Sequence, residues 1–268
     1  MTSAPTTPPA AETLLAELHT RWLGKALRLL AEATSTIDVA KQWIAEGAPH
    51  GAVVIAERQT HGCGREGRVW ASPSGGLWMS LIVHIDADKA GRLGMGLAVA
   101  TAEAVSAETG CEVGLKWPND LFLDGRKVGG VLGQTEATFG GIATAVVSLG
   151  LNVNFSVADF PQELKDIAAT LRDETGKGWS LPRLTADVLA RFEDMWPALA
   201  GEDSRPVMDG WRRRDVLLGR EVSLEVAGNV WRGRAAGIDE RGALVIVTDG
   251  IEQTISAGEV VSVREAPS

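Results

Sequence analysis

The sequence predicts an α+β fold: a mixed, mainly antiparallel sheet flanked by helices, followed by a small β-barrel. Three observations carry this. Short apolar runs bounded by turn formers crowd the segment from Glu112 to Leu149. Stretches of helical period lie before and after that segment instead of alternating with each strand. Beyond Gly219, apolar residues alternate in short runs broken by glycine-containing turns.

The elements run in order along the chain. The opening residues MTSAPTTPPA lack a basic n-region and an apolar h-region, and residues 1–18 read as a disordered tail. Asp38 to Gly47 reads as a short helix with Thr36 as N-cap and with Val39, Trp43 and Ile44 on its apolar face. Ala52–Ala56 and Leu77–Ile85 are strands, and Ala90–Thr109, rich in Ala, Leu and Val, is a helix that Gly110 stops. Glu112–Lys116, Leu121–Leu123, Lys127–Thr135 and Ile142–Leu149 are strands separated by Pro118-Asn119-Asp120, Asp124-Gly125 and Gly140-Gly141. Leu184–Trp196 returns to helical period. From Gly219 onward the alternation at Val222, Leu224, Val226 and again at Leu244, Ile246 spells about five short strands, and a barrel is the compact way to hide their edges.

At 268 residues the chain suits a large domain, expected at 19–214, and a small one at 215–268. A formal charge of −9 argues against nonspecific DNA binding, which draws its affinity from excess Lys and Arg, so no nucleic-acid partner is expected. Nine tryptophans without a tyrosine read as core and pocket walls on so acidic a chain. Cys63 and Cys111 make no disulfide framework and no metal site, which fits a reducing cytoplasm, and no run approaches the ~20 apolar residues of a membrane helix.

Two constellations carry chemistry. Gly62-Cys63-Gly64-Arg65-Glu66-Gly67-Arg68 spells G-x-G-x-x-G, the dinucleotide fingerprint, yet the next residues include Pro73 and Gly75-Gly76 and lead into a strand, so no helix receives a pyrophosphate there. The segment is a loop between strands. Its glycines let backbone donors approach a ligand while Arg65 and Arg68 add positive charge, so the ligand is anionic. The second constellation is Lys116-Trp117-Pro118-Asn119-Asp120, succeeded by Arg126-Lys127-Val128-Gly129-Gly130. It presents Asn119 and Asp120 at a strand end, and Gly129 and Gly130 leave room for a ligand beside the strand that Lys127 begins.

Taken in order, Ser35-Thr36, Gln59 with the Gly62–Trp70 loop, Lys116–Asp120, Arg126–Leu132 and Gly150-Leu151-Asn152-Val153-Asn154 resemble the biotin protein ligases, from about Leu23 to Val263. The resemblance extends to the last segment, where Gly237–Leu244 looks like that family's SH3-like C-terminal domain. It implies a catalytic domain of the biotin/lipoate ligase type at 19–214 and a two-step, AMP-forming reaction of the biotin-[acetyl-CoA-carboxylase] ligase kind. Biotin and ATP, with Mg2+, form biotinyl-5'-AMP, which then acylates one lysine of a biotin carboxyl carrier protein or domain.

The resemblance also implies roles. Lys127 contacts the biotin carboxylate and the α-phosphate, Arg65 retains the adenylate, and Asp120 orients or deprotonates the incoming amine. Ser35, Thr36 and Gln59 meet the biotin head group, Trp78 walls the biotin site, and Asn152 lies near adenine and ribose. Gly62, Cys63, Gly64 and Arg68 of the loop, with Lys116, Asn119 and Gly130, complete the ligand shell. The chain departs from the family pattern at Cys63, often arginine, at Glu66, often basic, and at Ile37, commonly asparagine. The loop is thereby less positive than usual, and the Ile37 side chain has no polar atom for the biotin hydrogen bond that an asparagine there could make. Only 34 residues precede Ser35, too few for the roughly sixty of a winged helix, so a repressor function is not expected. A homodimer is left open. The alternatives are a lipoate or octanoate protein ligase, and a biotin-binding module without catalysis.

Overall fold

The computed structural model describes residues 9–226 and 228–264. In chain order the first body comprises α1 (Pro9–Glu17), β1 (Leu27–Ala33), α2 (Thr36–Ala45), β2 (Ala52–Gln59), β3 (Leu77–Asp86), α3 (Leu93–Thr109), β4 (Gly114–Lys116), β5 (Asp120–Leu123), β6 (Arg126–Phe139), β7 (Ile142–Leu151), α4 (Leu171–Thr175), α5 (Leu181–Ala200) and α6 (Arg205–Arg212). The sheet order is β1-β2-β3-β7-β6-β5-β4, with β1 and β2 parallel and every other pair antiparallel. This is the mixed, mainly antiparallel sheet the sequence predicts.

The sheet is covered on both faces, so its central strands are apolar on both sides. Met79, Leu81, Val83 and Ile85 of β3 join the main core with α3, α5 and α6, while Ile82 of β3 and Val54 of β2 face α2 through Ile37 and Ala40. Helix α3 is apolar over most of its surface and is accordingly buried between the sheet and the helices α5 and α6, with Glu103 and Glu108 paired to Arg191 and Arg183 of α5. Its contact with α6 is close: a methyl group on Gly210 would lie 2.6 Å from Val99 Cγ1. Two of the turns read from the sequence, Asp124-Gly125 and Gly140-Gly141, and likewise Asp249-Gly250, have positive φ at both central residues, the twist that suits a two-residue hairpin loop.

The last five strands, β8 (Glu221–Val226), β9 (Asn229–Ile238), β10 (Leu244–Thr248), β11 (Ile251–Ile255) and β12 (Glu259–Arg264), form a second, wholly antiparallel sheet in the order β11-β10-β9-β8-β12. Its inner residues Val222, Leu224, Ala235, Leu244 and Ile246 belong to the same apolar cluster as the first body, and Trp117 Nε1 donates to Gly242 O at 3.1 Å across the junction.

The structure corrects several boundaries. Of the expected tail, residues 1–8 lie outside the described residues, but Pro9–Glu17 is helical because Leu14 and Leu18 have an apolar place to go in the main core, where α1 packs on α5. The cap of α2 is Ser35, whose hydroxyl accepts from Ile37 N at 3.2 Å, and Thr36 is already helical. Strand β6 runs to Phe139, since the polar stretch after Thr135 still pairs with β7 through a bulge. Strand β1 and helix α6 were not legible in the sequence. Among the described residues, no helix is long and apolar enough to cross a membrane.

Candidate active site

Sheet register assembles the site. Ala56, Trp78, Gly150, Gly130 and Asp120 are aligned across β2, β3, β7, β6 and β5, and Val54, Ser80, Ser148 and Leu132 form a neighbouring row. Above these rows, on the face that carries α2, lies a cavity of about 260 Å³. The N-terminus of α2 closes one end, the loop 62–70 arches over it, and the start of β12 reaches its mouth.

The floor is neutral and polar. Ser80 Oγ lies 2.8 Å from both Thr36 Oγ1 and Ser148 Oγ, a buried hydroxyl chain in otherwise apolar strands. Gln59 Oε1 accepts from Thr36 N at 2.7 Å, and its Nε2 donates to Ser72 Oγ at 2.8 Å. These bonds fix the Gln59 amide, and with Ser35, Thr36 and Ser148 they line a pocket able to exchange hydrogen bonds with a neutral ring.

The opposite end is cationic. Lys127 Nζ lies 2.6 Å from Asp120 Oδ1 and 5.1 Å from the centroid of the Trp70 ring. Trp70 in turn lies flat on Gly150, where an added Cβ would come within 2.5 Å of Trp70 Nε1. Asn119 Nδ2 donates to Val131 O at 2.8 Å and Val131 N donates back to Asn119 O at 2.9 Å, which pins the turn that presents Asp120. Lys116 Nζ is 3.3 Å from Val260 O, and burial pushes its pKa down against the pull of nearby Asp120.

The loop is itself a small hairpin. Cys63 pairs with Val69, Gly64 N donates to Arg68 O at 2.8 Å, and Glu66 sits at φ 57°. Arg65 Nη1 donates to Gly258 O at 3.1 Å, and Arg68 makes a two-pronged pair with Glu259 while also touching Glu66. The Arg68 hydrogen bonds hold the Glu259 carboxyl below its ordinary pKa, with Arg65 and Lys116 adding to the effect, and Arg68 is raised in return.

Of the residues expected from the sequence, Ser35, Thr36, Ile37, Gln59, Cys63, Gly64, Arg65, Arg68, Lys116, Asn119, Asp120, Lys127, Gly130 and Asn152 all line this one cavity. Gly62 and Trp78 do not. Gly62 is needed at the base of the loop, where a Cβ would lie 2.4 Å from Trp70 O. Trp78 is fully buried; its Nε1 donates to Pro73 O at 2.9 Å and its ring packs by Phe155, leaving Phe160 to face the cavity. Ile37 turns its side chain into the core under α2.

Sequence reasoning missed Ser148, Trp70, Phe160 and Glu259. The signal for Ser80 and Ser148 was present, as lone hydroxyls inside apolar strands; that for Glu259 was not, because its place depends on how the second sheet docks. Asn152 is buried, donates from Nδ2 to Ala169 O at 3.0 Å, and leaves Oδ1 without a protein donor. Such a buried acceptor in a cavity wall is suited to a ligand N–H or O–H. Among the described residues, no group of three or more His, Cys, Asp or Glu side chains is arranged to hold a metal ion.

Comparison with known proteins agrees with this geometry. Residues 29–154 match the model of the biotin/lipoate A/B protein ligase family, and residues 217–262 match the biotin protein ligase C terminal domain. The chain is 32% identical over 244 residues to the bifunctional ligase/repressor BirA of Bacillus spizizenii, covering 90% of this chain and 75% of that protein. It is 30% identical to the biotin--[acetyl-CoA-carboxylase] ligase of Paracoccus denitrificans, covering 87% of this chain and 98% of that one. The structure resembles biotin protein ligase from Aquifex aeolicus solved with biotin and ATP, with a TM-score of 0.78 and 31% identity over 90% of this chain and all of that chain.

Proposed function

The chain belongs to the biotin protein ligase family, and from that premise we propose that its cavity binds biotin over the hydroxyl floor and ATP at the cationic end, forms biotinyl-5'-AMP, and passes the biotinyl group to a lysine of a carboxylase carrier domain. The observation that carries this reading is the polarity of the cavity: a neutral hydrogen-bonding floor at one end and four cations, Arg65, Arg68, Lys116 and Lys127, at the other. A molecule with an uncharged polar ring, an apolar arm and a carboxylate matches that gradient.

In the first step an oxygen of the biotin carboxylate attacks the α-phosphorus and the bond to the bridging oxygen breaks, releasing pyrophosphate. Two anions must be held in contact, which costs Coulomb energy unless cations are already in place. Lys127 is oriented by Asp120 and by the Trp70 face, so its ammonium is fixed between the two anions. Magnesium would enter with ATP and would neutralise charge on its phosphates; Glu66, Asp120 and Glu259 are the cavity carboxylates that would be available to it. Asn152 Oδ1 is available to the adenine amine or a ribose hydroxyl.

In the second step the amine of the carrier lysine attacks the acyl carbon, an amide forms, and AMP leaves. Asp120, the cavity carboxylate beside Lys127, accepts the amine proton, and Lys127 stabilises the departing phosphate. The enzyme is assigned to the cytoplasm, in keeping with its two unpaired cysteines.

A lipoate or octanoate ligase would present a linear acyl chain to the floor and make no hydrogen bond with the Ser35, Thr36 and Ser148 hydroxyls that line it. The deciding experiment mixes purified protein, biotin, Mg-ATP and a biotin carboxyl carrier domain. One carrier lysine becomes streptavidin-reactive only when biotin and ATP are both present. Equal transfer of lipoate or octanoate would overturn the substrate, and tight biotin binding without transfer would overturn the activity.

A further inference from the structure

Every cation at the phosphate end of the cavity has an internal partner. Lys127 is paired with Asp120 within the first sheet. The other three are engaged from outside that sheet, by one short stretch at the start of β12: Gly258 O accepts from Arg65, the Glu259 carboxylate takes both prongs of Arg68, and Val260 O accepts from Lys116. A carboxylate flanked by two carbonyl oxygens thus presents three acceptors to three cations, the same donor–acceptor pattern that a polyphosphate would present. Glu259 and Val260 also line the cavity. The glycine loop carries Arg65 and Arg68, so this stretch ties the loop to the C-terminal sheet.

We propose that the Gly258–Val260 stretch is an internal stand-in for the nucleotide phosphates, with Glu259 as a latch on Arg68 that ATP must displace. The proposal rests on the reading that the anionic substrate is ATP, and it adds a role for the C-terminal sheet in that reading. Glu259 covers the Nη1/Nη2 edge of Arg68 with both carboxylate oxygens, so a phosphate docking on that edge must displace it, and its charge beside the site opposes a second anion. Displacement is feasible because Arg68 is 55% and Glu259 34% exposed, which places the pair among solvent-screened bridges of modest strength. By linkage, whatever free energy holds the latch is subtracted from nucleotide affinity. When the latch opens, the freed loop can rearrange over the adenylate, and once pyrophosphate has left the latch can close again.

The test is a four-protein comparison of wild type, Glu259→Gln, Arg68→Ala and the double variant, with ATP and inorganic tripolyphosphate binding measured by calorimetry at fixed low ionic strength. Glu259→Gln removes the competing charge while keeping the side chain's size. It should tighten both ligands about two- to fivefold, the range of a screened ion pair. In the Arg68→Ala background the same change should have little effect, because the latch is already broken. Equal or weaker binding by Glu259→Gln would overturn the proposal, as would an identical gain in both backgrounds, which would mark a general field effect. A wild-type protein that binds tripolyphosphate but releases no pyrophosphate from biotin and ATP would count against the ligase reading alone; the latch is decided by the binding comparison.

Discussion

Lys127 and Asp120 sit on adjacent strands, β6 and β5, with Nζ and Oδ1 2.6 Å apart, and each holds the other at the boundary between the hydroxyl floor and the cationic mouth. A bulge between Leu121 and Phe122 offsets the register there, so that Asp120 is opposite Gly130 while Lys127 is opposite Phe122. A Cβ added at Gly130 would stand 3.6 Å from both Asp120 Oδ1 and Lys127 Cε, in ordinary contact with each. The pair therefore depends on the bulge that sets its register as well as on its own charges.

Lys127→Ala should slow pyrophosphate release by roughly 100- to 1000-fold, as expected for loss of one preorganised charge donor at a reacting phosphate. Its fold should persist, since the pair is partly exposed and contributes about 1 kcal/mol or less. Transfer from chemically supplied biotinyl-adenylate should suffer less than adenylate formation. Near-normal adenylation with unchanged thermal unfolding would move the role to Lys116.

Asp120→Asn should separate the two half-reactions the other way. The amide keeps the size of the side chain but loses the base, so single-turnover transfer from preformed adenylate to the carrier should fall by about 10²-fold or more. Pyrophosphate formation should change less. Equal loss in both steps would reduce Asp120 to a holder of Lys127.

Arg65→Gly should release activated biotin faster. Arg65 donates from the glycine loop to Gly258 O, so the substitution removes a tether and adds backbone freedom to the loop that covers the cavity. Free adenylate would then label lysines on bystander proteins in the same tube. A variant that retains its intermediate like wild type would exclude Arg65 from the cover.

Much of this site was legible because its residues come in short runs whose chemistry is local. Arg65 and Arg68 share a glycine loop, and Asn119, Asp120 and Lys127 surround one turn, so finding the turn finds the cluster. The parts that were not legible depend on partners distant in sequence. Strand β1 is an edge strand whose run Leu27–Ala33 is mostly half-buried and interrupted by Arg28 and Glu32, without clean alternation, and it becomes a strand by pairing in parallel with β2. Residues up to Glu17 look like tail until α5 supplies a surface for Leu14 and Leu18. Glu259 is one glutamate among many until the second sheet carries it to Arg68. Trp78 was misplaced by a layer: it occupies the right face of β3, but Phe155 and Phe160 stand beside it.

Trp78→Phe should therefore act on stability more than on ligand binding. It removes the hydrogen bond to Pro73 O and leaves a void in a fully buried position, for a cost of about 1–3 kcal/mol read from denaturant unfolding. Biotin affinity of the folded variant should stay close to wild type. A collapse of affinity with unfolding unchanged would show that the indole touches biotin.

The last prediction concerns acid. His50 stacks on Trp22 with ring centroids 4.4 Å apart, stands edge-on to Trp196 at 5.1 Å, and accepts from His84 N at Nδ1 over 3.0 Å. Burial lowers its pKa, and the neighbouring His84 lowers it further. A base whose folded pKa lies below its unfolded value near 6.5 binds more protons when unfolded. Its contribution to stability is therefore complete above the unfolded pKa and is lost as pH falls through about 6.5 toward the lower folded value. Protonation would also place a hydrogen on Nδ1, where the ring now accepts from His84 N. Denaturant midpoints measured from pH 8 to pH 5 should fall on the acid side, and His50→Gln, although less stable at pH 8, should show a shallower fall. An equally steep decline in that variant would assign the acid sensitivity to another group.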